Sequence, residues 1–310
     1  MTTSHKTHVT KKRHYSVVSV LVVICLTLIV FLILLEYSRK DTGPISAPSI
    51  LTSTSSPHFL QGQEVLIITS SSTDSEIYLP IQPVLFQYVE IKNSCEVHFE
   101  GECVVARTGP GLDFPVVTKL RNDVVLRVGG QIDHDGHTWY KIIFDEFVRY
   151  PERIPGGMYV AADNVNVLLD EGEKTAWEDG TATTTKRIVV DRATQKLYAY
   201  NGDTLFMETV ISTGLELSPT VAGTFTVYKK TPSRYMQGPL PGFTDAYDLP
   251  GVPWNLYFTQ DGAVIHGTYW HDSFGTPYSH GCVNVNPSDA RTLYNWTPIG
   301  TKVTVLPIDL

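Results

Sequence analysis

The chain has no surplus of basic residues. Its 310 residues hold 24 Lys and Arg against 32 Asp and Glu, a formal net charge of −8. Six of those bases and one acid lie in residues 1–40, so the remainder carries 18 bases against 31 acids, a net of −13. A surface of that sign is a poor partner for phosphate backbones, and nucleic acid is not an expected ligand. Charged residues make up 18% and hydrophobic residues 42%, which argues against disorder throughout and fits a globular protein with room for two domains. Internal repeats and transport motifs are absent. Cysteine is scarce: only Cys25, Cys95, Cys103 and Cys282 occur.

The long apolar run is confined to one place. Val17 to Leu35 is 19 residues without a charge, interrupted only by Ser19 and Thr27. That length spans a bilayer core as a helix and exceeds the apolar region of a cleavable signal peptide. Lys6, Lys11, Lys12 and Arg13 precede it, so residues 1–16 are expected in the cytoplasm and everything beyond the helix (17–35) outside. A single-pass anchor in the cell membrane is the expectation, and a long cleaved signal sequence is the alternative. Residues 36–57, rich in Ser, Thr and Pro, read as a tether.

Helical periodicity is missing from residues 58–170. Short apolar runs alternate with turn residues instead, at Val65, Tyr88, Cys103, Val124, Trp139 and Tyr159, which points to a small β barrel. Thr108-Gly-Pro-Gly, Gly129-Gly130 and Asp135-Gly136 are the expected turns. Cys95 and Cys103 flank a strand-like stretch and are a candidate disulfide in an oxidising compartment. Residues 171–184 are polar and read as a linker. In residues 185–310, strands are expected around Ile188, Leu197, Met207, Phe225 and Val264, with a hairpin turn at Asn201-Gly202. One helix is signalled: Asn286 as its cap, Pro287 in its first position, Asp289 in its first turn and Pro298 beyond its end. The fold class expected is therefore mainly β, with a short helix after Cys282.

Chemistry concentrates late in the chain. His266-Gly267 is followed by His271 and then by Ser279-His280-Gly281-Cys282-Val283-Asn284. A thiol is a good nucleophile only as a thiolate, and a nearby imidazole is the usual device for forming one. Cys282 is the candidate nucleophile, with His266 and His280 as candidate bases. Gly281 suits a tight turn, and backbone N–H groups near Cys282 could hold an oxyanion. Two other readings stay open. Cys282 can be a buried structural thiol, or His266, His271, His280 and Cys282 can ligate zinc. Against zinc, a second thiolate is missing and the spacing matches none of the common ligand pairs.

Two resemblances rest on these residues. Ala106-Arg-Thr-Gly-Pro-Gly, Phe114-Pro-Val-Val and Asp135-Gly-His-Thr-Trp139-Tyr, within Cys103 to Val167, resemble a bacterial SH3-like domain. This implies an extracellular, wall-binding module, a spacer without a ligand being the alternative. The pattern His266-Gly267 followed by Ser279-His280-Gly281-Cys282-Val283-Asn284, supported by Asp191, Gln195, Ser212-Thr-Gly214, Gly223 and Gly300-Thr301, resembles the L,D-transpeptidase family with its YkuD-type catalytic domain. The resemblance implies that Cys282 is acylated, that His266 is its base, and that the Gly267 carbonyl orients the imidazole. Ser279, His280, Gly281 and Asn284 match positions shaping the site. A lid aromatic is matched by Tyr247, Trp254 or Tyr257, in or beside a Gly/Pro-rich insertion, Thr231 to Pro253, read as a mobile flap. It further implies 3→3 cross-linking of peptidoglycan stem peptides, no cofactor and no metal, and carbapenem-type β-lactams as covalent inhibitors. An L,D-carboxypeptidase, a protein-to-wall linkase and a non-catalytic wall-binding protein are the alternatives.

Overall fold

The computed structural model describes residues 65–69, 76–85, 87–144, 146, 148–154, 156–169, 174–175, 184–239 and 246–308. The expected N-terminus (1–16), membrane helix (17–35) and tether (36–57) lie outside the described residues, as does most of the 171–184 segment. Among the described residues, no helix is long and apolar enough to cross a membrane.

The strands of the first part of the fold all pair antiparallel, with one isolated parallel bridge between Cys95 and Arg121. β1 (Val65–Thr69) and β2 (Glu76–Pro80) pair with each other alone. Then β3 (Tyr88–Ile91), β4 (Val104–Arg107), β5 (Val116–Leu120), β6 (Val125–His134), β7 (His137–Ile143), β8 (Met158–Ala161) and β9 (Val165–Leu168) form a seven-stranded sheet in the order β5-β4-β8-β7-β6-β3-β9. The Asp135-Gly136 turn closes β6 on β7 with both residues at positive φ, 50° and 78°, the twist a two-residue hairpin needs. Gly129-Gly130, expected to be a turn, instead lies inside β6 at a bulge. A Cβ on Gly130 would meet Ile81 Cγ2 at 2.6 Å and the Gln82 carbonyl at 2.9 Å, so its glycine serves a close approach.

Cys95 and Cys103 are disulfide-bonded, with Cα atoms 4.4 Å apart. The stretch between them is not a strand. Glu96 N–H bonds to the Glu100 carbonyl and Phe99 N–H to the Glu96 carbonyl, folding the segment into a turn that returns Cys103 to Cys95. An extended run of that length would have held the two sulfurs far apart.

The second part is a ten-stranded sheet. Its strands are β10 (Lys174–Thr175), β11 (Lys186–Asp191), β12 (Lys196–Asn201), β13 (Thr204–Ser212), β14 (Gly223–Thr226), β15 (Lys229–Gln237), β16 (Asp248–Tyr257), β17 (Val264–Gly267), β18 (Val283–Val285) and β19 (Lys302–Val305). They lie in the order β10-β15-β16-β17-β18-β13-β12-β11-β19-β14, with β17–β18 and β11–β19 parallel. Within the expected linker, Lys174 and Thr175 add to the edge of β15. Helix α1 (Pro287–Trp296) starts as its sequence predicts: the Asn286 side chain accepts from Ser288 N–H, and Pro287, Ala290, Leu293 and Tyr294 are buried. The hairpin after β12 turns at Gly202-Asp203, one residue later than expected.

The described residues of Thr231 to Pro253 are not an irregular flap. β15 and β16 pair as a long antiparallel ribbon, with a register shift between Arg234 and Met236, and residues 240–245 lie outside the described residues. Pro232, Pro250 and Pro253 and the positive φ of Gly251 (66°) hide a strand pattern that is nonetheless formed. The two parts share core. Tyr88, Val125 and Leu168 pack with the second part's Ile188, Leu256 and Leu293, while Val252 and Tyr269 pack with the first part's Leu126 and Val160.

Candidate active site

Pairing of β17 with β18 assembles the site. The parallel register sets His266 against Asn284 and Ile265 against Val283. Side chains alternate along a strand, so His266, Asn284 and Cys282, two residues before Asn284, all face one way. All three line one cavity of about 570 Å³. Cys282 is partly exposed there and is the one free thiol among the described residues.

His266 is fully buried, and its protonation is dictated by its neighbours. Nδ1 lies 3.0 Å from the Gly267 carbonyl, which can only accept, so the proton sits on Nδ1. Nε2 then carries a lone pair, and it has no hydrogen-bond partner among the described residues. Burial lowers the pKa of this ring from 6.5 to about 4, against the raising effect of the Gly267 carbonyl; Arg234 and His271 lower it further. Burial likewise pushes the Cys282 thiol up, partly offset by Arg234 and by a hydrogen bond from Val264 N–H. The resting pair is thus a neutral imidazole and a neutral thiol. Gly267 is needed for space: a Cβ there would lie 2.8 Å from Pro253 Cγ.

The loop that presents the thiol is held by its own polar groups. Ser279 Oγ donates to the Cys282 carbonyl at 2.5 Å and accepts from Gly281 N–H at 3.1 Å. Thr220 Oγ1 also donates to the Cys282 carbonyl, at 3.3 Å, and Ser218 Oγ to that of His280, at 2.9 Å. Gly281 has φ of 113°, a conformation that favours glycine. Because its N–H is spent on Ser279, Gly281 is not free to serve an oxyanion. Behind the loop, buried Gln195 accepts from Thr213 N–H, and the Thr213 carbonyl accepts from Tyr278 and Ser279 N–H.

His271 has a supporting place that the sequence did not reveal. Its Nδ1 accepts from Ser273 N–H at 3.2 Å, so the neutral ring carries its proton on Nε2, 2.7 Å from the Asn284 side-chain amide. Hydrogen-bond logic turns the Asn284 oxygen toward that proton. Burial lowers the His271 pKa to about 4 and keeps it in this neutral form. The zinc arrangement does not assemble: among the described residues, no three His, Cys, Asp or Glu side chains gather as a metal site.

The lid aromatics separate. Tyr247 lines the cavity and stacks on His280, with ring centroids 6.3 Å apart. Trp254 and Tyr257 do not line it. Trp254 is core, packed on Tyr294 and under the Arg291 guanidinium. Tyr257 turns its hydroxyl to Glu146. β16 is buried without alternation from Pro250 to Tyr257, which puts both rings inside the fold. The cavity wall also includes Glu146, Arg149, Arg234 and Trp270, which carried no signal in the sequence. Glu146 and Arg149 come from the first β part, more than a hundred positions from Cys282 in sequence.

Residues 185–305 match the YkuD family, described as the L,D-transpeptidase catalytic domain. The Bacillus licheniformis protein assigned as L,D-transpeptidase YkuD is 27% identical over 124 residues, 39% of this chain and 66% of its own length. A crystal structure of Enterococcus faecium L,D-transpeptidase is 28% identical, covering 39% of this chain and 50% of that chain with a TM-score of 0.36. The catalytic domain from E. faecium L,D-transpeptidase, solved by NMR acylated by ertapenem, is 29% identical over 40% of this chain and 98% of that chain, with a TM-score of 0.36. The chain thus spans 66% of the length of its curated relative and half that of the E. faecium crystal chain.

Proposed function

We propose that this chain, whose residues 185–305 match a YkuD L,D-transpeptidase catalytic domain, is a cysteine-dependent peptidoglycan transpeptidase that forms 3→3 cross-links. One observation carries the reading: in a cavity it shares with Cys282, the fully buried His266 keeps an unpartnered, unprotonated Nε2. That nitrogen is a proton acceptor with no other partner among the described residues.

In the proposed reaction, Cys282 Sγ attacks the carbonyl of the third residue of a donor stem peptide while its proton passes to His266 Nε2. The C–N bond to the terminal D-alanine breaks, and the departing amine takes that proton. The side-chain amine of another stem's third residue then attacks the thioester, gives its proton to His266, and leaves an amide with the thiol restored. Tyr247, which lines the cavity and stacks on His280, would limit water there and favour the amine over hydrolysis. The Asn284 amide, set by His271, is a polar contact for the peptide.

The apolar run at 17–35 would anchor the protein in the cell membrane with this domain outside, and the first β part would bring it to the wall as an SH3-like module. A carbapenem tests the nucleophile, because its strained lactam carbonyl is an acyl donor to a thiolate. The expected result is a single mass adduct that Cys282→Ala abolishes. A folded protein without an adduct would contradict the reading.

A further inference from the structure

Arg234 stands on β15 in the wall of the same cavity as Cys282 and His266. Its guanidinium is only partly matched. Nε lies 3.2 Å from Glu146 Oε2 as an ion pair, and both Nε and Nη1 are buried with no hydrogen-bond partner among the described residues. Glu146 divides its charge: Lys229 Nζ is 3.5 Å from its Oε1, and the Tyr257 hydroxyl donates to the same oxygen. A second guanidinium, Arg149, lines the cavity, and Asp261 is the other carboxylate on its wall. A buried guanidinium N–H left unpaired is costly, and it is relieved by a planar anion that accepts in parallel. The charge of Arg234 is felt at the Cys282 thiol, the His266 ring and the Tyr247 phenol, so it lies close to where bonds would change.

Building on the reading above, we propose that Arg234 is the carboxylate anchor of the donor site. Its free N–H edge receives the terminal carboxylate of the donor peptide, one residue beyond the bond that Cys282 attacks. One extended residue covers about 3.5 Å, so a donor carbonyl at the thiol carries its terminal carboxylate one residue farther along the cavity that Arg234 lines. Such an anchor makes the enzyme select donors that end, with a free carboxylate, one residue after the scissile bond. Longer stems and amidated ends would leave Nη1 unpaired and bind weakly.

Two readouts on the full chain in detergent test this. The first is binding to Cys282→Ala protein of a tetrapeptide stem ending in free D-alanine, against the same peptide with a terminal carboxamide. The acid is expected to bind about tenfold tighter or better, and that preference is expected to collapse toward one when Arg234→Gln is added. Arg234→Lys keeps the charge beside Glu146 but loses the fork, and should reduce the preference several-fold, which serves if the Gln variant does not fold. The second readout is the kcat/KM ratio for the two donors in Cys282 protein, where the loss in Arg234→Lys should fall mainly on KM for the acid. An acid preference in binding without turnover of either peptide would sustain the anchor and sink the transpeptidase reading. No preference in the parent, or an equal loss for both peptides that leaves the ratio intact, would overturn the anchor.

Discussion

Cys282 and His266 line one cavity as a neutral thiol and a neutral imidazole, and this has consequences for pH. With the His266 pKa lowered to about 4, the ring remains a competent acceptor far below the usual histidine range. The acid limb of the carbapenem acylation rate is therefore expected near pH 4, and a limb centred near pH 6.5 would contradict the buried-imidazole account. His266→Gln should slow acylation by about 10²–10⁴-fold. His271→Gln, which reaches the cavity mainly through Asn284, should cost much less; equal losses would speak for a shared role of the two rings. Stability carries the same signature. The unfolded chain protonates both histidines near pH 6.5, whereas the folded chain resists until about pH 4. The unfolded state thus binds more protons in that window, so stability falls as pH is lowered through it. A melting series from pH 7 to 4 should show the fall, less steep in His271→Gln.

Tyr247 lies at the foot of β16 in the β15–β16 ribbon, and the first β part grips that ribbon. Arg153 Nη1 donates to the Gly238 carbonyl at 3.0 Å, Gln237 exchanges hydrogen bonds with the Tyr150 backbone, and Ser233 Oγ donates to the Val125 carbonyl at 2.6 Å. Removing one such bond costs about 0.5–1.5 kcal/mol. Arg153→Ala should accordingly speed amide exchange in the ribbon near Gly238 and Tyr247 by about two- to tenfold. Unchanged protection would show that the grip lies elsewhere. On the neighbouring strand, Gly267→Ala drives a methyl into Pro253 and should destabilise by about 1–3 kcal/mol in denaturant titration. The ribbon is also where sequence reading ran out. Proline and glycine interrupt its alternation, so it resembled an irregular loop, and Trp254 and Tyr257 could not be assigned to core from pattern alone. By contrast, α1 was legible in full, because its cap, first-turn proline and apolar spacing are local signals.

At the scale of the whole molecule, the two β parts act as one because the site is built from both. Glu146 and Arg149 reach the cavity from the loop after β7, and Tyr88, Val125 and Leu168 enter the core of the second part. Residues 185–310 alone would expose that apolar face and should melt at a lower temperature than the longer chain; an equal melting temperature would make the first part a passenger. That Cys282, His266 and the Ser279-His280-Gly281 loop come to one cavity was readable from fixed residues close in sequence. Arg234, Glu146 and Arg149 were not, because only tertiary pairing brings them there. The account as a whole stands on acyl transfer through Cys282. The most direct measurement is mass analysis of the products when the full chain is incubated with purified disaccharide-tetrapeptide muropeptides. The account predicts D-alanine release and a 3→3 linked dimer, both absent with Cys282→Ala. Dimer formation that survives Cys282→Ala, or intact muropeptides with folded wild-type protein, would contradict it.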